Sequence, residues 1–392
     1  MLVHKMSQGA KPRRRWNQFR LRTLLILITL LAVPFAWVGA ELRRMQREQA
    51  AIAWVEELGG DVKFDDGANN SWWHDLRHAC FGRPVVEVAK IYPSSSTDPS
   101  QDLTPLAGLK DLRVLLIRDS LVTDLTPLKD LQSLQFLSLM DSQVSDLTPL
   151  AKMRNLLELE VSYGRVHDLT PLAQLTNLRR LVIAGNQVSD LTPLAKLEKL
   201  LELDIADTAV TDLTPLVQLQ ALEDLSIENT QVRDLTPVVK LKNLRAFAVG
   251  GNQVYDLTPL VRLENLEDLY IEHTQLRELA PLGELKNLRR LSLYDVPVRD
   301  LEPLSRLKKL QILNMTNTQV RDLQPLEAIK SLREVSLHSC PVEDLTPLTH
   351  LQDLTTFLYE DISASDEQIE SLRNVLPNCS VVEMDAMEVD AW

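Results

Sequence analysis

The chain has 392 residues, 45% of them hydrophobic, and a formal net charge of −13 from 42 basic and 55 acidic side chains. So acidic a main body excludes extended contact with a nucleic-acid backbone, which needs clustered cations. Three widely spaced cysteines, Cys80, Cys340 and Cys379, imply neither a disulfide framework nor a metal knuckle.

Residues 1–22 form a basic tail carrying Lys5, Lys11, Arg13, Arg14, Arg15, Arg20 and Arg22 and no acid. Residues 23–40 then run 18 positions without a charge, just enough to span a bilayer as a helix. The positive-inside rule leaves the tail in the cytoplasm and sends the rest across. The expected location is therefore the cytoplasmic membrane, crossed once, with the remaining chain outside it. A signal peptide cleaved near Val38-Gly39-Ala40 is the alternative, which would make the protein secreted.

Residues 41–101 read as an N-terminal helix and a cap. Glu41–Leu58 reads as helix, with Leu42, Met45, Ile52 and Val55 on one stripe and Gly59-Gly60 ending it. It serves as the cap's first helix, a stalk or a seam for self-association. Val62-Lys63-Phe64 predicts a short strand, and Val86-Glu87-Val88 the first, irregular strand of an array. His74 and His78, four apart with Asp75 between, are spaced like the zinc-binding His-Glu-x-x-His helix. The acid is Asp and no third ligand is placed, so a zinc hydrolase is the remote alternative.

From 102 to 361 the pentad Asp-Leu-Thr-Pro-Leu recurs every 22 residues, from Asp102 to Asp344, with Glu278-Leu279-Ala280-Pro281-Leu282 as its loosest copy. A fixed period of this length predicts a solenoid. In the coil 131–152, Leu137-x-Leu139 alternates as a short strand, and Thr148-Pro149 starts a return turn as N-cap and first helical residue. So short a coil leaves room only for a helical turn or so, 3₁₀ in part. The pentad acids would repel as a stacked row unless each accepts local backbone N–H bonds. Residues 362–392 read as a C-terminal cap, with Ser365 and Gln368 as a capping box, and an acidic tail.

The frame Leu-x-x-Leu-x-x-Leu-x-Leu-x-x-Ser-x-Val with Asp-Leu-x-Pro-Leu resembles the leucine-rich repeat, and its 22-residue length resembles the internalin-type class of bacteria. The basic tail, apolar run and capped array together resemble membrane-anchored bacterial proteins of that kind. The resemblance implies an α/β solenoid, a parallel sheet on the concave side with short convex turns, and protein recognition on the concave face. The family's inward Asn is replaced in most coils, by Gly164 and Val296 among others, which predicts looser turns at those two.

The side chains expected on the concave face are Phe136, Glu158, Glu160, Tyr163, Arg180, Glu202, Asp204, Asp224, Tyr270, Glu272, His273, Arg290 and Tyr294. Four of the six tyrosines, with Tyr359 as the fourth, fall in these columns, and tyrosine with arginine is what binding hot spots favour. No phosphate loop, nucleophile elbow or paired cysteine motif stands in the chain, and no cofactor is implied. The expected function is a non-enzymatic scaffold, held in the membrane, that binds another protein on its concave face. A self-associating structural envelope protein is the alternative.

Overall fold

The computed structural model describes residues 21–64, 86–91, 102–118, 121–251 and 253–384. The basic tail up to residue 20, the His74/His78 pair, Cys80 and the acidic tail beyond 384 lie outside the described residues. The chain divides into two units, 1–50 and 51–392.

The described part of the first unit is helical. The expected break near residue 40, between a membrane span and a separate helix, is absent: α1 runs from Leu21 to Glu57 as one helix. Helix propensity carries across Ala40-Glu41, and no glycine pair interrupts until Gly59-Gly60. Leu30, Val33 and Phe35 are 67–73% exposed. Among the described residues no helix is long and apolar enough to cross a membrane, and the expected span falls partly on side chains outside that description (21–27, 31 and 34).

The predicted stripe on 41–58 is also corrected. Leu42 is half exposed, whereas Ala51, Val55 and Leu58 are buried in the core of the second unit, with Ile52 and Trp54 packed against it. The last two turns of α1 therefore act as a cap.

The second unit is one sheet in strict chain order. Its strands are β1 (Asp61–Phe64), β2 (Val86–Ile91), β3 (Val114–Arg118), β4 (Phe136–Met140), β5 (Glu158–Glu160), β6 (Arg180–Val182), β7 (Glu202–Asp204) and β8 (Asp224–Ser226). They continue as β9 (Ala246–Gly250), β10 (Asp268–Glu272), β11 (Arg290–Tyr294), β12 (Ile312–Thr316), β13 (Glu334–Cys340), β14 (Thr356–Ile362) and β15 (Ser380–Glu383). β1 pairs antiparallel with β2; every later pairing is parallel. Equal coil length keeps the register constant, so residue i always faces residue i+22 from β3 to β14. One face of the sheet packs on stacked leucines, such as Leu137, Leu159, Leu181, Leu203 and Leu225, each at most 1% exposed. Such columns bury apolar surface continuously, and burial is the main term holding a solenoid together.

The return legs are 3₁₀, as the short coil requires; Thr170–Gln174 is typical. Thr148 does not cap its turn. The residue ahead of it, Leu147, occupies the cap position without a side-chain bond, and Asp146 Oδ1 accepts the Thr148 N–H at 2.8 Å. The same bond recurs from Asp102 to Asp344, and persists where Glu302 or Gln324 replaces threonine. Where threonine follows, its hydroxyl and N–H hold the carboxyl below the usual aspartate range, as at Asp146, Asp190 and Asp234. The stacked acids are thus turn formers.

Of the two turns expected to be loose, the one at Gly164 is closed. Asn186, one coil later, accepts the Val166 N–H at 2.9 Å and donates to the carbonyls of Val161 and Ile183 at 2.6 and 2.9 Å. A Cβ on Gly164 would stand 3.0 Å from Asn186 Oδ1, so the missing side chain makes room for the neighbour's amide. The ladder bond Arg165 N–H to Val144 O stays intact at 2.9 Å. At Val296 the turn is filled by the buried valine itself. Pro297 has no N–H to give the ladder, and Val298 N–H turns back to Val296 O at 2.8 Å.

At the far end α2 (Asp366–Val375) covers the last coil. The predicted capping box does not form: Ser365 makes no side-chain bond, and Gln368 instead accepts the Leu345 N–H at 3.1 Å, tying the cap to the array.

Candidate recognition face

The face of the sheet opposite the leucines carries three rows, because alternate strand residues point the same way. The first row reads Phe136, Glu158, Arg180, Glu202, Asp224, Ala246, Asp268, Arg290, Ile312 and Glu334. The second contains Glu160, Asp204 and then Tyr270, Ser292, Asn314, Ser336 and Leu358. The third contains Glu272, Tyr294, Thr316, His338 and Glu360. Eleven of the predicted side chains therefore stand in these rows.

Tyr163 and His273 do not. With Asp141, Asp207, Asn229, Asp295, Asn317, Ser339 and Asp361 they occupy a left-handed position just after the strand, or near its end in β13 and β14, at φ between 46° and 54°. Gly185 and Gly251 share that column. Asn, Asp and Gly adopt this conformation most easily, so the column was visible as their 22-residue recurrence; tyrosine and histidine disguised it. Tyr163, 55% exposed, lays its ring over Gly185. His273 pairs with Asp295 at 3.0 Å and meets the Tyr294 ring edge-on at 4.9 Å. Tyr359 is corrected outright: it points into the core, stacked on Phe357.

Charge is not spread evenly. Arg180 bridges to Glu202 at 2.6 Å. Beyond it β9 offers only Ala246, Ala248 and Gly250 to the open face, a bare strip between acids on both sides. Burial pushes Glu228 up to about 7, helped by Glu272, Asp204 and Asp207 and opposed by His273. Partial desolvation at the sheet surface raises Asp224 to about 6, with Glu202, Asp204 and Asp268 adding like charge and Arg180 offsetting it. Asp204, Asp268 and Glu272 are raised in the same direction, mainly by desolvation.

Further along, Arg290 donates to the Tyr270 hydroxyl at 3.1 Å. Beside this pair lies a cavity of about 80 Å³. Ser292, Asn314, Ser336 and Thr316 line it, with Tyr270, Glu272 and Tyr294 toward β10 and β11 and Glu334, Leu358 and Met384 toward β13–β15. The small polar residues were not singled out from sequence, yet counting in steps of 22 from Tyr270 reaches Ser292, Asn314 and Ser336, and from Glu272 reaches Thr316. Among the described residues no group of three or more His, Cys, Asp or Glu side chains could hold a metal ion.

The repeat frame is matched by known proteins. Residues 286–328 fit the family model for leucine-rich repeats in two copies. An internalin (InlF) of Listeria monocytogenes superposes with a TM-score of 0.60 at 26% identity, over 69% of this chain and 81% of that one. The chain is an internalin-like leucine-rich-repeat protein. Internalin C2 of the same organism is 34% identical to the internalin-like chain over 48% of it and 83% of C2, with a TM-score of 0.45. A leucine-rich-repeat protein of Leptospira interrogans shares the fold, with a TM-score of 0.55 at 21% identity over 71% of this chain and 86% of that one. No curated protein matches. Leucine-rich-repeat proteins of this kind generally mediate protein–protein interaction.

Proposed function

We propose that this internalin-like protein is a non-enzymatic recognition scaffold, anchored in the cytoplasmic membrane through residues 23–40, that binds another protein on the open face of its repeat sheet. One observation carries the reading: a face that no described element covers brings together tyrosines, paired arginines and acids in fixed register. A preformed surface lowers the ordering cost of association. The anchor is supported by the uncharged run, the basic residues before it and the exposed Leu30, Val33 and Phe35 on α1. The repeats then face away from the cytoplasm.

Chemical cross-linking in the native host tests the recognition face. The wild type is expected to capture a protein that the variant Tyr270→Ala, Arg290→Glu, Tyr294→Ala loses. Capture of the same set by both would overturn the choice of face. Alkaline extraction of membranes tests the anchor, which falls if the full chain is released into the supernatant.

Self-association through 41–58 has less support, because Ala51, Val55 and Leu58 already face the repeat core.

A further inference from the structure

The cavity beside Arg290 has a chemistry that narrows the partner. Along the second row, Tyr270 and Leu358 are separated by Ser292, Asn314 and Ser336, three small polar residues on successive strands. At roughly 4.8 Å per strand the large side chains stand about 19 Å apart. The short residues between them leave the slot of about 80 Å³. That volume suits a side-chain head group and is too small to enclose a substituted ring.

The polar atoms around the slot mostly accept hydrogen bonds. Glu272 and Glu334 are acceptors only when ionised, and Asn314 Oδ1 is buried without a partner. Serine and threonine hydroxyls supply either role. A group that only donates therefore satisfies this wall best. The tyrosine rings at one end add the electron-rich surface that attracts cations. Among the described residues no lysine or arginine lines the slot, and Arg290 next to it is already bonded to Tyr270.

From the slot the acidic field continues over β10 to β8 through Asp268, Glu272, Asp224 and Glu228, interrupted only by the bare strip of β9. An extended chain can lie over that strip without meeting a side chain larger than a methyl group.

We propose that the open face from β8 to β14 docks a basic polypeptide segment, one arginine or lysine of which is seated in the slot between Tyr270, Tyr294, Asn314 and Glu334. This rests on the reading of the open face as the recognition surface. It adds the partner's chemistry: cationic, extended and free of acids where it crosses β8–β10. Raised acid groups on this face fit the same conclusion, since partial burial, with like-charged neighbours at Asp224 and Glu228, disfavours their ionised forms and an added cation would favour them.

The test uses the full chain in a neutral detergent and a fluorescein-labelled octapeptide of alternating glycine and arginine, read by fluorescence anisotropy. The peptide is expected to bind, with affinity falling as salt rises. Glu334→Gln, which keeps shape and removes charge, is expected to weaken binding about tenfold. Asn314→Met, which fills the slot, should do the same, while Glu198→Gln on a distant turn should leave binding unchanged. Equal binding by the wild type, Glu334→Gln and Asn314→Met would overturn the slot. Equal binding of a glycine–glutamate octapeptide would overturn the charge argument. Spermidine competing at equal concentration would reassign the site to a small polycation and overturn the polypeptide. If the arginine peptide fails to bind while cross-linking still captures a protein through Tyr270 and Tyr294, this inference falls and the recognition face stands. Failure of both removes the face as well.

Discussion

Replacing Asn186 with alanine isolates a buried polar tie between two coils. The side chain accepts one buried N–H, that of Val166 at 2.9 Å, and donates to Val161 O and Ile183 O. Alanine strands the N–H, at about 1–3 kcal/mol for a buried group without a partner, and each carbonyl loses roughly 1 kcal/mol of bonding. The expected loss is therefore about 3–5 kcal/mol. Thr208→Ala supplies the scale, because Thr208 makes one such bond, to Ile205 O at 2.6 Å, worth about 1 kcal/mol. Urea unfolding gives the two losses, and amide hydrogen exchange at Val166 shows whether the damage is local. The tie also predicts non-additivity. Gly164→Ala puts a methyl 3.0 Å from Asn186 Oδ1 and 3.2 Å from Val144 O, and is expected to cost about 1 kcal/mol alone but less once Asn186 is alanine and only the carbonyl contact remains. Asn186→Ala costing no more than Thr208→Ala, with the Val166 amide still protected, would refute the reasoning.

Three more outcomes follow from the geometry. The pentad aspartates, such as Asp146 and Asp190, have folded-state values below their unfolded ones, so their stabilisation is complete above the unfolded value and is lost as pH falls through the folded one. The urea midpoint should therefore drop between about pH 4 and pH 2, and an Asp146→Asn variant should show a shallower drop. Glu228 has the opposite sign: its folded value, about 7, lies above the unfolded one, so stability falls as pH rises from about 4 to about 7. Glu228→Gln is expected to stabilise at about pH 8 by on the order of 1 kcal/mol, allowing for solvent screening, and to change little at about pH 4, by the same unfolding assay. Gly185→Ala should cost about 1–2 kcal/mol in thermal unfolding, since Gly185 sits at φ 70° with its would-be Cβ inside the Tyr163 ring.

The solenoid was legible because its signal is periodic: one pentad seen repeatedly fixes the coil, the strand and the buried columns together. Side-chain partnerships across coils were not. Gly164 looked like a defect because its compensation sits 22 residues away on Asn186. Gln368 looked like half of a capping box, but the Leu345 N–H at the end of the array had greater need of an acceptor. Tyr359 matched the outward columns in composition, yet the last coil turns it inward onto Phe357. The slot was hidden for a different reason. It is made by small residues, and a search for aromatic and charged hot spots passes over serine.

Strand β9 has a consequence for how this array can change over generations. A 22-residue deletion or duplication leaves every other register intact, so whole coils are the natural unit of insertion and loss. Loss of the coil bearing Ala246, Ala248 and Gly250 would be different. It would set Asp224 directly beside Asp268 and Glu228 beside Glu272, about one strand spacing apart. The blandest coil of the array is the insulator between two acidic ones, and lineages that vary repeat number are expected to keep it.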